Sequence, residues 1–158
     1  MSTRGDQSAG VSPSGARPES GAALLEPKHR LHVRELMCAD VESCTAGSDL
    51  AAAAMIMWRR DCGIVPVVET SGGGIVGVIT DRDICMAVAT KGRSASRITV
   101  GETMSHDVFS CSPEDSLASA LDTMRLRKVR RLPVIDETHK LRGILSLNDV
   151  LIRTRLTD

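Results

Sequence analysis

Aromatic side chains are almost missing: one Trp, one Phe and no Tyr stand among 158 residues. Without such faces, successive bases of a single strand have no platform to stack on. Net charge is missing too, because twenty acidic residues balance twenty Lys and Arg. No overall field therefore draws in nucleic acid or an anionic membrane. Long apolar runs are absent, the longest early one being GAALL, which excludes a signal peptide and a membrane span as readings of this sequence. The cysteines, Cys38, Cys44, Cys62, Cys85 and Cys111, are odd in number and show no CxxC or CxxH spacing. That pattern argues against a zinc site and against a closed disulfide framework. Free, mostly buried thiols in a reducing cytoplasm are the expectation.

What is present is a globular balance, 42% hydrophobic and 25% charged, in a length that suits one domain or two small joined ones. Residues 1–30 are rich in Ser, Gly, Ala and Pro and lack apolar periodicity, which predicts a disordered tail. The rest is an internal duplication. A shift of 67 places Met37 on Met104, Cys44 on Cys111, Leu50 on Leu117, Arg60 on Arg127 and Pro66 on Pro133. After one extra residue in the loop TSGGG, Gly77 meets Gly143 and Asp83 meets Asp149. Two copies make a pseudo-twofold pair rather than a solenoid. We divide them as residues 31–96 and 97–158.

Each copy reads strand, helix, strand, strand, helix, an α/β (α+β) order. A short strand, DVESC or DVFSC, precedes a helix whose apolar residues fall at i, i+3, i+4 and i+7: Leu50, Ala53, Ala54, Met57 and Leu117, Ala120, Leu121, Met124. Two apolar strands joined by a hairpin loop follow, then a final helix. A unit of this size buries only about 60% of its surface alone, so the two copies are expected to share a core.

The second hairpin strand of each copy runs into a hydroxyl-x-x-Asp turn, Thr80 to Asp83 in GVITDRDI and Ser146 to Asp149 in GILSLNDV. Two readings stand. The hydroxyls cap helix N-termini and the carboxylates face the dipole, or the carboxylates are held for a ligand. Capping boxes prefer the longer Glu or Gln, because Asp reaches back less well.

With CGIVPVVE…GVITDRDI and VRRLPVID…GILSLNDV, residues 33 to 155 resemble a tandem pair of the cystathionine β-synthase (CBS) domain family. The resemblance implies two β-α-β-β-α repeats packed as a pair with two clefts between them. Many members bind adenine nucleotides or S-adenosylmethionine there, the Asp holding ribose hydroxyls and the Thr or Ser touching phosphate. Carried over, that gives Thr80 and Asp83 to one cleft and Ser146 and Asp149 to the other. Base contacts would come from the stretch ending at Cys44 and from Val65 and Pro66, with Val108 to Cys111 and Leu132 to Pro133 as counterparts. Basic residues before the Pro strand contact phosphate in nucleotide-binding relatives, which assigns Arg130 and Arg131, with Arg82 beside them, to the Asp83 cleft. The Asp149 cleft would receive Gly63 and Ile64 instead.

The resulting expectation is a stand-alone regulatory module that senses AMP, ADP, ATP or S-adenosylmethionine and passes occupancy to an effector protein. It forms a homodimer, with Trp58 beside an oligomer contact, and uses neither nucleic acid nor membrane. The alternative is a ligand-free pair serving for dimerisation or protein interaction. No nucleophile–base pair or metal cluster can be placed in a cleft, so an enzyme is not expected.

Overall fold

The computed structural model describes residues 31–71 and 73–155; the expected N-terminal tail lies outside them. Helices and hairpins form where apolar spacing and caps agree. Helix α2, Leu50–Arg60, starts at Asp49, whose Oδ1 accepts from the Ala52 amide at 2.8 Å. Its counterpart α4, Leu117–Arg127, starts at Ser116, whose Oγ accepts from the Ser119 amide at 3.2 Å. Both end in the left-handed region, at Asp61 (φ 47°) and Lys128 (φ 56°). Between α2 and the short preceding helix α1, Val33–Leu36, the chain is irregular.

Strands β1 (Ile64–Val68) and β2 (Ile75–Thr80) pair antiparallel, as do β3 (Arg131–Ile135) and β4 (Leu141–Ser146). Each hairpin runs directly into a helix, α3 (Asp81–Lys91) or α5 (Leu147–Arg155). The expected strand before α2 and α4 shrinks to one residue. Cys44 bridges Val67 in parallel, and Cys111 bridges Val134. The amide and carbonyl of each cysteine complete the ladder. In the first copy the residues just upstream turn to ion pairs instead, Asp40 and Glu42 both holding Arg60.

Two cores result. Leu50, Val65, Val67 and Ile79 are fully buried in one, and Leu132, Val134 and Leu145 in the other. Each such side chain contributes about 1.5–3 kcal/mol relative to exposure. The copies exchange arms across the expected boundary at residue 96. Val33 and Leu36 belong to the second core, where the Val33 amide bonds Asp115 and Cys38 bridges Ile144. Ile98 and Val100 belong to the first, where the Leu50 amide bonds Ile98 and Ser105 bridges Val78. Met37 and Met104, paired in the duplication, pack beside these crossings. The glycines that open each hydroxyl-x-x-Asp motif serve the same crossings: a Cβ on Gly77 would stand 2.8 Å from the Ser105 carbonyl oxygen.

Candidate functional site

Thr80 closes β2 and caps α3. Its Oγ1 accepts from the Asp83 amide at 3.2 Å and donates to Asp83 Oδ2 at 2.6 Å, while the Thr80 amide donates to the same Oδ2 at 2.9 Å. The shorter Asp thus does reach back, against the expectation from its length, because the cap residue's hydroxyl meets it halfway. Both bonds fall on Oδ2. Among the described residues, Oδ1 accepts none.

That half-buried carboxylate lines a cavity of about 390 Å³ between the copies. On its first-copy wall stand Thr80, Asp81, Arg82 and Asp83; facing them stand Phe109, Lys128, Arg130 and Arg131. The structure therefore brings together the five residues Thr80, Arg82, Asp83, Arg130 and Arg131. Arg131 is half-buried at the start of β3, where it pairs with Ser146. Its Nη1 lies 3.5 Å, and Asp81 Oδ2 lies 2.9 Å, from where a Cβ on Gly63 would be. A side chain at 63 would crowd the Asp81 carboxylate and touch the Arg131 guanidinium.

Sequence reasoning missed Lys128 as a lining residue and did not single out Phe109 within its stretch. The duplication carries a signal for both: Lys128 replaces Asp61, and Phe109 replaces Glu42. The Arg127 guanidinium covers one face of the Phe109 ring, 4.9 Å from its centroid, a cation–π contact that fixes the ring plane.

Ser146 and Asp149 line a second cavity, of about 430 Å³. Here the box does not close. Ser146 Oγ accepts from the Asn148 amide at 3.2 Å, and the Asp149 carboxylate accepts no hydrogen bond among the described residues. The opposite wall carries Asp40, Glu42, Arg60 and Asp61. Arg60 is fully engaged, with Nη1 and Nη2 on Asp40 at 2.7 and 3.0 Å and Nε on Glu42 at 2.8 Å. Those bonds hold the Asp40 carboxyl below the usual carboxylate range.

Three expected contacts are not in either cleft. Cys44, Val65 and Pro66 are buried in or against the first core and line neither cavity. Both faces of β1 are covered, so Val65 and Pro66 are buried on opposite sides of the strand, and in the Asp83 cleft the Pro position is held by Pro133 of the other copy. Burial pushes the Cys44 thiol up to about 11 and the Cys111 thiol up to about 12, as for apolar core fillers. The expected split of Gly63 and Ile64 also changes. Ile64 and Arg131 line both cavities, and Gly63 lines the Asp83 cavity. Among the described residues no three His, Cys, Asp or Glu side chains converge as metal ligands, and no helix is long and apolar enough to cross a membrane.

The chain matches the CBS domain family twice, over residues 33–90 and 100–154. CBS domain-containing protein YhcV of Bacillus subtilis is 33% identical over 120 residues, 76% of this chain and 83% of its own. A crystal structure of Hypoxic Response Protein I with two coordinated zinc ions is 30% identical, with a TM-score of 0.69 over 77% of this chain and 98% of that one. The CBS domain pair of protein MJ0100, in complex with 5′-methylthioadenosine and S-adenosyl-L-methionine, shares the fold at a TM-score of 0.74 and 20% identity, covering 82% of this chain and all of that one.

Proposed function

Because the chain belongs to the CBS domain family, we propose that it is a regulatory module that holds an adenosyl ligand, AMP, ADP, ATP or S-adenosylmethionine, between its repeats. The cleft at Asp83 is the principal site for the nucleotides. One observation carries this reading: Asp83, Phe109, Lys128, Arg130 and Arg131, drawn from both copies, meet in one cavity of about 390 Å³. Asp83 Oδ1 accepts from a ribose hydroxyl. Guanidinium groups make charge-assisted, bidentate bonds to phosphate, and the α3 N-terminus adds its dipole. The Phe109 ring offers the adenine an apolar face. The adenosyl compounds bound by MJ0100 are of the same chemical class.

Such a module needs no catalytic group. Ligand shifts the balance of two conformations through its differential affinity for them, and an effector protein in the cytoplasm reads the result. The module acts as a homodimer joined through α2 and α3, where Met55, Trp58 and Met86 are exposed.

A second reading draws on the closed Thr80–Asp83 box, which needs no ligand to account for it: a ligand-free pair serving dimerisation or protein interaction. A thermal-shift panel of adenine nucleotides and S-adenosylmethionine separates the two. Ligand at 100 times Kd adds about 2.7 kcal/mol of stability at one site. No shift with any of them leaves the ligand-free reading.

A further inference from the structure

Helices α2 and α3 of the first repeat enclose a groove of about 630 Å³, lined by Ala54, Met57, Ile84 and Cys85, with Trp58 standing beside it. The Trp58 ring projects into solvent, as do Met55 on the same helix and Met86 on α3. One face therefore carries both an apolar knob and an apolar hollow. Such a face can satisfy itself across a twofold axis, each knob entering the hollow of the other copy. The duplication shows what the second repeat offers at the equivalent positions. On α4, Asp122 and Arg125 replace Met55 and Trp58; both are exposed, and Arg125 Nη2 lies 3.5 Å from Asp122 Oδ1. On α5, Leu151 and Ile152 replace Cys85 and Met86, and both are exposed. The two faces thus differ where α2 is apolar and α4 is charged.

We infer that two copies of this chain join like repeat to like repeat, Trp58 of each seated in the partner's α2–α3 groove. This rests on the homodimer reading and adds its arrangement. Packing first repeat on second would lay Met55 and Trp58 over Asp122 and Arg125, taking an ion pair out of water beneath apolar side chains, where desolvation outweighs the attraction. Packing like on like sets apolar against apolar on α2. On α4 it turns the ion pair outward across the axis: Asp122 of one copy meets Arg125 of the other, twice over, so every charge keeps an opposite partner. Leu151 and Ile152 then face their own equivalents, as Cys85 and Met86 do in the first repeat.

The test is cross-linking of the full chain with a short bis-maleimide, at a concentration where sedimentation shows the dimer. Cys85 is exposed and lines the groove, so wild type should give a covalent dimer. Cys85→Ala, which keeps Cys38 and Cys62, should give none. Adding Leu151→Cys to that variant should restore the product, because residue 151 then faces its own copy. A product formed only between wild type and the Cys85→Ala, Leu151→Cys chain would overturn the arrangement and leave the dimer standing. So would a dimer that cross-links through neither position. Charge supplies a second arm. Arg125→Asp should weaken the dimer about tenfold by setting four carboxylates together, and adding Asp122→Arg should restore it. A dimer indifferent to Arg125→Asp would likewise overturn the inference. A wild-type monomer removes the homodimer reading itself, and this inference with it.

Discussion

The carbonyl oxygen of Cys38 lies so close over Gly143 that a Cβ there would stand 2.6 Å from it. The contact exists because the arm from the first copy bridges Ile144 through both its amide and its carbonyl. Gly143→Ala must lift that arm or bend β4, a form of overpacking that costs about 1–3 kcal/mol. Gly77→Ala, under the Ser105 carbonyl at 2.8 Å, should cost a similar amount. Thermal melts of both variants check this; wild-type melting temperatures would mean that the arms give way freely.

The two Asp positions should part company in both stability and binding. Asp83→Ala removes the bonds to the Thr80 amide and hydroxyl and should lower stability by about 1 kcal/mol, whereas Asp149→Ala removes no hydrogen bond among the described residues. AMP affinity should fall with Asp83→Ala by about ten- to a hundredfold, the loss of charged hydrogen bonds worth roughly 1.5–3 kcal/mol. Asp149→Ala should leave it nearly unchanged. Calorimetry beside thermal melting reads the two quantities separately. A stability loss without an affinity loss would reduce Asp83 to a helix cap.

Arg131→Ala should weaken AMP or ATP binding and spare adenosine, since only the nucleotides present a phosphate to the guanidinium. The dependence of AMP affinity on salt should flatten at the same time, because an ion pair has been lost. Adenosine affinity falling as far as AMP affinity would instead make Arg131 a wall of the cleft rather than a phosphate ligand.

Trp58 is 83% exposed on α2, with Met55 at 55% on the same helix and Met86 at 53% on α3. Sedimentation at a concentration near ~100 μM, where interactions of micromolar Kd are saturated, should show a dimer. Trp58→Glu should dissociate it without lowering the melting temperature of the monomer, since the ring makes little contact within the chain. A wild-type monomer at that concentration removes the dimer.

The helices and hairpins were legible because their signals are local. Leu50, Ala53 and Met57 fall on one helical face and are buried, and the duplication aligned the two hydroxyl-x-x-Asp turns, each of which lines a cavity. The arms were not legible. Ile98 and Val100 lie in a stretch of 3-10 turns with no sustained period, and nothing in a sequence of that kind says which core it will join. Cys44, Val65 and Pro66 are given to a ligand by resemblance, yet they are buried, because both faces of β1 are covered. The place of Lys128 in the cavity wall was not legible because it follows from a left-handed helix end, which charge patterning alone does not reveal.

The exchange of arms makes half of this chain something other than a half-size protein. Cut between Gly92 and Ser94, the first fragment would keep α2, β1, β2 and α3 but lose the Ile98 and Val100 wall of its core; the second would lose Val33 and Leu36. Each fragment would carry the missing piece of the other and no use for it at home. Mixed, the two should recombine by the same clasp that joins them in the intact chain. A single copy alone could meet this need only by lending its arm to a twin, and the tandem repeat makes that partnership internal.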